Sequence, residues 1–202
     1  MLAVATVPAR PVARRGPDRG VGETAAPVKG LRRRRSKDLG ACARLLRVVF
    51  FEGQYPVDWP ERPRAWLSDR EVMDAWVVER RGEMLGHIAI STVGEDGGAA
   101  LRWRELTGLP ASELAAVSRL FVRARVRRQG IGTALLDVAA SEIRARGLTP
   151  VLEVPGASTD AVGLLEHAGW RLRAMDHSGR APDWRPVRRY VSPRDQRQTT
   201  HH

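Results

Sequence analysis

The stretch from Leu120 to Gly147, LFVRARVRRQGIGTALLDVAASEIRARG, constrains this chain more than any other. An apolar strand end runs into an arginine-rich turn with two glycines one residue apart. Behind it Ile131, Ala134, Leu135, Val138, Ala139 and Ile143 fall on one helical face. The segment reads as strand, turn and helix. Gly130 and Gly132 lack Cβ, so the backbone can approach a ligand while the free N–H groups of the first helical turn point at it. The helix dipole and Arg123, Arg125, Arg127 and Arg128 add positive charge, which makes a phosphate-bearing ligand the natural occupant. For the glycines alone a plainer reading stays open: a close-packed turn with solvated arginines.

Two sharper motifs can be tested against the letters. A nucleotide P-loop ends in Gly-Lys-Ser/Thr, whereas Thr133 follows Gly132 directly, with no lysine for the terminal phosphates. The dinucleotide fingerprint comes closer, because Glu153 stands about 20 residues beyond the glycines as a ribose-binding acid would. Leu135, however, occupies the place of its third glycine, and too little chain follows for a second nucleotide-binding half. Arg127-Arg128-Gln129-Gly130-Ile131-Gly132, behind Leu120-Phe121-Val122, instead resembles the Gln/Arg-x-x-Gly-x-Gly/Ala signature of the GNAT superfamily of acetyl-CoA-dependent N-acetyltransferases. The resemblance continues through Ser158, Ala161, Leu164, Gly169 and Trp170, with Leu165 where the family usually has tyrosine.

That resemblance implies acetyl-CoA as co-substrate and no metal. The turn would wrap its pyrophosphate, with Arg127, Arg128, Gln129, Gly130, Ile131, Gly132, Thr133 and Ser158 as binding residues. The pantetheine arm would pair with backbone near Phe121 and Val122, in a gap between two splayed parallel strands.

Composition bounds the rest. The 202 residues suit one domain of about 150 residues plus tails, and a lone cysteine, Cys42, excludes an internal disulfide and reads as a buried inert thiol. No apolar run approaches the roughly 20 residues that span a bilayer, so a cytoplasmic protein without membrane contact is expected. The net charge of +11 invites a nucleic-acid reading, but residues 1–37 hold ten basic residues against two acids. The basicity is mostly a tail, which argues against a nucleic-acid partner.

In chain order, residues 1–26 form a disordered basic arm, 27–192 the domain and 193–202 a polar tail. Within the domain a strand is expected at Val28 to Arg34, and Ser36 or Asp38 can cap a helix from Leu39 to Phe50. A loop with Tyr55, Trp59 and Trp66 and a short helix follow, then a hairpin of Trp76 to Glu79 with Met84 to Thr92. A helical pattern at Leu101 to Leu106 precedes the strand Ala115 to Val122 and the main helix. A strand from Pro150 to Val154, a helix ended by Gly169 and a closing pair, Trp170 to Met175 with Arg185 to Val191, complete the order. This order predicts an α+β (α/β three-layer) domain with a mixed, mainly antiparallel sheet flanked by helices.

The expected function is acetyl transfer to a primary amine by direct attack in a ternary complex. The acceptor is a small molecule or a peptide, and a homodimer is left open. The alternative is a non-catalytic acyl-CoA-binding domain whose basic arm contacts nucleic acid. Residues 51–96 carry ten acids against five arginines, which points to the acceptor site. With leucine at 165, and Ser118 and Arg119 where the family has a glutamate base, His87 is the catalytic candidate, since an ordinary imidazole titrates near neutral pH. Glu105 is a weaker one. Deleting residues 1–26 is expected to leave the melting temperature and acetyl-CoA affinity unchanged, because that arm has too few apolar residues to pack. A large fall in melting temperature would make the arm part of the core.

Overall fold

The structure, a computed structural model, describes residues 28–53, 55–94, 98–155, 159–178 and 185–193. The expected arm over 1–26, the tail beyond Pro193 and Ser158 lie outside the described residues. The elements are β1 (Leu31–Arg33), α1 (Leu39–Gly53), α2 (Pro63–Leu67), β2 (Val72–Arg80), β3 (Glu83–Thr92) and α3 (Gly98–Thr107). They continue with β4 (Leu114–Val122), α4 (Ile131–Ala145), β5 (Thr149–Pro155), α5 (Thr159–His167), β6 (Arg171–Ser178) and β7 (Arg185–Val191).

The strands form one seven-stranded sheet in the order β1-β2-β3-β4-β5-β7-β6. Only β4 and β5 run parallel, as a strand–helix–strand unit requires, and every other pair is antiparallel. Alternation of side chains along the strands gives the sheet two apolar faces. On one, α4 buries Ile131, Leu135, Leu136, Ala139, Ala140 and Ile143 against Val78, Ile88, Ile90, Val117 and Leu152, with Leu165 and Trp170 closing the cluster. Ala134 and Val138, expected on this stripe, are only half-buried. The stripe is turned toward Leu136 and Ala140 because α4 lies across several strands rather than over one.

On the opposite face α1 buries Cys42, Leu45, Leu46 and Val49, with Leu67 of α2, against Val77, Met84 and Phe121. Burial pushes the Cys42 thiol up to about 11, so it stays protonated and unreactive. Trp103 of α3 covers Val93, Leu114 and Val151 toward the other end of the sheet.

The first strand is shorter than expected, because Leu31 N–H closes a turn onto the Val28 carbonyl at 3.1 Å. Of the arginine run that follows, Arg32 forks onto Asp38 at 2.6 and 3.0 Å and Arg33 reaches Glu142 at 3.1 Å. Asp38 does not cap α1 directly. It accepts the Arg35 N–H at 2.7 Å and so fixes the 3-10 turn Ser36–Asp38 that leads into the helix. The Arg32 guanidinium holds the Asp38 carboxyl down at about 2.

Close seating of α4 on the sheet depends on Gly86 of β3. A Cβ there would stand 2.9 Å from Leu135 Cδ1 and 3.1 Å from Ile131 Cγ2. Gly86→Ala is therefore expected to lower stability by about 1–3 kcal/mol through overpacking. Urea unfolding checks this, and a midpoint equal to the parent's would mean that α4 is free to shift.

Candidate active site

The site is built where β4 leaves β5. Their parallel ladder pairs Leu114 with Thr149 through Val117 with Leu152 and ends there, although β4 continues to Val122 and β5 to Pro155. Beyond that point β5 keeps β7 as its neighbour and β4 keeps β3. The parting coincides with a bulge. In the β3 register His87 faces Phe121 but Ala89 faces Ser118, so Arg119 and Leu120 together oppose Ile88. Arg119 has φ +52°, a left-handed conformation that is uncommon for a residue with a side chain.

Its side chain explains how the bulge is held. Nε donates to the Trp66 carbonyl at 2.8 Å, and one terminal nitrogen reaches the hydroxyls of Ser91 and Ser118 at 3.0 and 3.1 Å. The other pairs with Asp69, and the guanidinium lies over the Trp66 ring, 5.0 Å from its centroid. Arg119 thus pins α2 and its flanking loop to the bulge.

Past Val122 the chain makes a 3-10 turn, Ala124–Val126, and enters the glycine turn. None of the six N–H groups from Arg128 to Thr133 bonds to another group among the described residues. Arg128 and Gly130 have φ +62° and +75°, and a Cβ added at Gly130 would meet nothing within 4 Å. The Ile131 side chain is buried against the sheet, which anchors the start of α4 there, with its first amides pointing along the helix axis past the N-terminus. A run of donors at a helix start suits an anion, and the pyrophosphate of a CoA thioester is the ligand that the sequence resemblance implies for this cradle. The expected residues Arg127, Arg128, Gln129, Gly130, Ile131, Gly132 and Thr133 come together here, with Phe121 and Val122 on the strand that leads in. The Phe121 ring faces α1 and the Val122 side chain faces α4.

The arginines around the turn are more committed than the sequence implies. Arg123 and Arg125 both pair with Glu83. Arg127 reaches Asp160 in the first turn of α5 at 2.6 Å, so it ties α5 to the cradle. Four of the ten acids in residues 51–96 are likewise committed to ion pairs. Asp69 pairs with Arg119, Asp74 with Arg33 and Arg146, Glu79 with Arg32 and Glu83 with two arginines. The sequence gives no sign of these partners because they come from distant segments.

His87 is fully buried beside Phe121, with the two rings stacked at 4.9 Å. Its Nδ1–H donates to the Arg119 carbonyl at 2.9 Å, and Nε2 accepts from Arg34 at 3.0 Å. Burial first, and the Arg34 and Arg119 charges after it, hold the imidazole down at about 3. With both nitrogens committed, His87 fits a structural role rather than that of a base. It and Arg34, which also donates to the Leu67 carbonyl at 2.6 Å, join α2 to the bulge. Glu105 sits on α3, where it pairs with Arg102 at 2.9 Å, and that arginine also holds Asp176 on β6. Leu165 is buried and offers no proton. Arg34 and Arg119 were passed over as site residues. The signal for Arg119 was available: a charge inside the apolar strand AAVSRLFV must find buried partners.

A mixed seven-stranded sheet flanked by helices, its one parallel pair parting beside this run of amides, defines the class of fold. The comparisons carry this further: the acetyltransferase (GNAT) family model matches residues 42–170, and the chain belongs to that family. No curated protein matches the chain. Among solved structures, the ribosomal-protein-S18-alanine N-acetyltransferase of Escherichia coli is similar with TM-score 0.60 and 17% identity, over 85% of this chain and 97% of that one. The ribosomal-protein-alanine N-acetyltransferase of Brucella melitensis gives 0.60 and 17%, over 80% and 98%. An acetyltransferase of Salmonella typhimurium with its cofactor acetyl-CoA gives 0.59 and 16%, over 82% and 94%. At these identities the likeness is one of fold. Among the described residues no helix is long and apolar enough to cross a membrane, and no cluster of His, Cys, Asp or Glu could hold a metal ion.

Because His87 stays neutral in the fold while an unfolded histidine charges below about pH 6.5, its contribution is complete above that pH and is lost as pH falls toward 3. The expected slope is up to about 1.4 kcal/mol per pH unit. His87→Gln should flatten the decline of unfolding free energy between pH 6.5 and 4.5. An unchanged slope would mean that His87 is not held neutral.

Proposed function

We propose that this chain is an N-acetyltransferase that moves the acetyl group of acetyl-CoA to a primary amine by direct attack in a ternary complex. The observation that carries the reading is the run of six N–H groups from Arg128 to Thr133 that have no partner among the described residues, set where β4 and β5 part. Bound acetyl-CoA supplies an activated acetyl group as a thioester.

The chain's own residues do the rest. The amides of Arg128, Gln129, Gly130, Ile131, Gly132 and Thr133 bind phosphate oxygens, with Arg128 exposed beside them. The edge of β4 past Val117 offers backbone groups to an extended guest, as a missing strand would. The bulge at Arg119, braced by Ser91, Ser118, Trp66 and Asp69, keeps that edge rigid, and rigid placement supplies much of the rate in a two-substrate transfer. Neither His87 nor Leu165 exchanges a proton here, so the amine's proton leaves to water and the departing thiolate is protonated from water.

Gly130→Ala puts a methyl group into the open cradle at a φ that L residues rarely adopt. Acetyl-CoA affinity, measured by calorimetry, should fall at least tenfold with the circular dichroism unchanged. Undiminished affinity would remove the cradle assignment. Thiol release assayed across a panel of amines tests the chemistry. Tight binding without release on any amine would favour the non-catalytic alternative.

A further inference from the structure

The one charged residue of β5 sits where the strands part. Val151, Leu152 and Val154 are buried, whereas the Glu153 side chain is 40% exposed. Leu152 and Val154 join the cluster under α4 and Val151 packs with Trp103, so Glu153 lies on the α3 side of the sheet. The ladder with β4 stops at Val117 and Leu152, and one further step would have set Glu153 against Ser118. Ser118 is on the same side, its hydroxyl committed to Ser91 at 2.8 Å and to Arg119 at 3.1 Å. Glu153 and Ser118 are thus the first residues on the two banks of the gap.

The carboxylate is held at one oxygen and open at the other. Arg189 of β7 donates from Nε to Oε1 at 2.9 Å, and no hydrogen bond reaches Oε2 from the described residues. Arg189 also pairs with Asp176 of β6, which Arg102 of α3 holds from its other side, and lies over the Trp103 ring, 5.8 Å from its centroid. Its charge is therefore partnered without Glu153. Across the gap the facing charge is Arg119, paired with Asp69. Asp69 has both oxygens engaged, one by Arg119 and the other by the Glu71 N–H at 3.1 Å.

We infer that Glu153 is the general base of the transfer and takes the proton of the acceptor amine through one water. This rests on the transferase reading above and adds a catalytic residue to that same site. An arm laid along the edge of β4 from the cradle runs toward the closed end of the gap, where Glu153 stands. Because Oε1 is drawn toward β7, away from β4, Oε2 meets the amine across a water. A primary ammonium titrates at about 10 and must lose a proton before its lone pair can attack. That proton passes through water to Glu153 and on to solvent. As the C–N bond forms and the C–S bond breaks, the nitrogen gives up a second proton, which reaches the thiolate through water. Arg189 is a positioning residue that holds the carboxylate at the gap.

The test compares the full chain with Glu153→Gln and Glu153→Asp. Glutamine keeps an oxygen for Arg189, so the melting temperature and the calorimetric affinity for CoA should stay at the parent's values. With the fastest amine of the panel, kcat at pH 7 should fall about 10²-fold or more in Glu153→Gln and recover in part in Glu153→Asp. The Glu153→Gln rate should then climb about tenfold per pH unit toward pH 9, as solution supplies neutral amine, while the parent's stays level. A second readout needs no turnover. In the CoA complex of a chain carrying isotope-labelled glutamate, added ethylammonium should move the carboxyl resonance that Glu153→Gln lacks. A kcat loss under about threefold, equal pH slopes, or an unmoved carboxyl overturns the assignment. A kcat loss that comes with a lower melting temperature and weaker CoA binding makes Glu153 structural and overturns it too. In each of those cases acetylation by the parent leaves the transferase reading standing. If the parent acetylates no amine at all, that reading falls and takes the base with it.

Discussion

Burial of Ile131 at the head of α4 is the contact on which the candidate site depends. The first turn of any helix has amides without internal partners that point along the axis past its N-terminus, so what they meet is decided by where the helix starts and which way its axis runs. Here Ile131, Leu135 and Ile143 commit one side of the helix to the sheet. Gly86 lets that side sink close, which fixes the start of the helix, and with it the amides, beside the parted strands. A polar function is thus positioned by apolar packing, with no charged side chain required to aim it.

The opposite face follows another logic. There a charged and polar group, Arg34, His87 and Arg119 with Ser91, Ser118 and Asp69, sits between the sheet and α2. Each buried donor finds an acceptor, which offsets the cost of removing the group from water. Such a network fixes a geometry that apolar contacts alone would leave slippery, and it does so at the bulge where the strands separate.

What could be read in the letters was what depends on near neighbours. The helical period after Gly132, the capping and stopping residues and the alternation of Met84 to Thr92 are local signals, and each element they imply is present. The cradle could be read for the same reason, since all its donors come from one short stretch. Hidden were the relations between distant segments. Asp69 with Arg119, Glu83 with Arg123 and Asp74 with Arg146 turn part of an apparent acidic field into internal ion pairs. The histidine that stood out for its ordinary titration range loses it through burial, which the order of letters does not record. The bulge was hidden as well, because an extra residue in a strand looks like any other residue.

That bulge also sets the reading frame of the strand. Val117 and Leu120 both face α4, while Ser118 and Phe121 both face α1 and α2, a spacing of three where an unbroken strand has two. Everything downstream inherits the change of side, including the turn and the helix that follows it. Pairing all the residues of β4 without the bulge would send Val122 to the wrong face of the sheet. The faces that the two halves of β4 present therefore depend on the bulge, and the conformation of Arg119 keeps both halves in step with the layers they join.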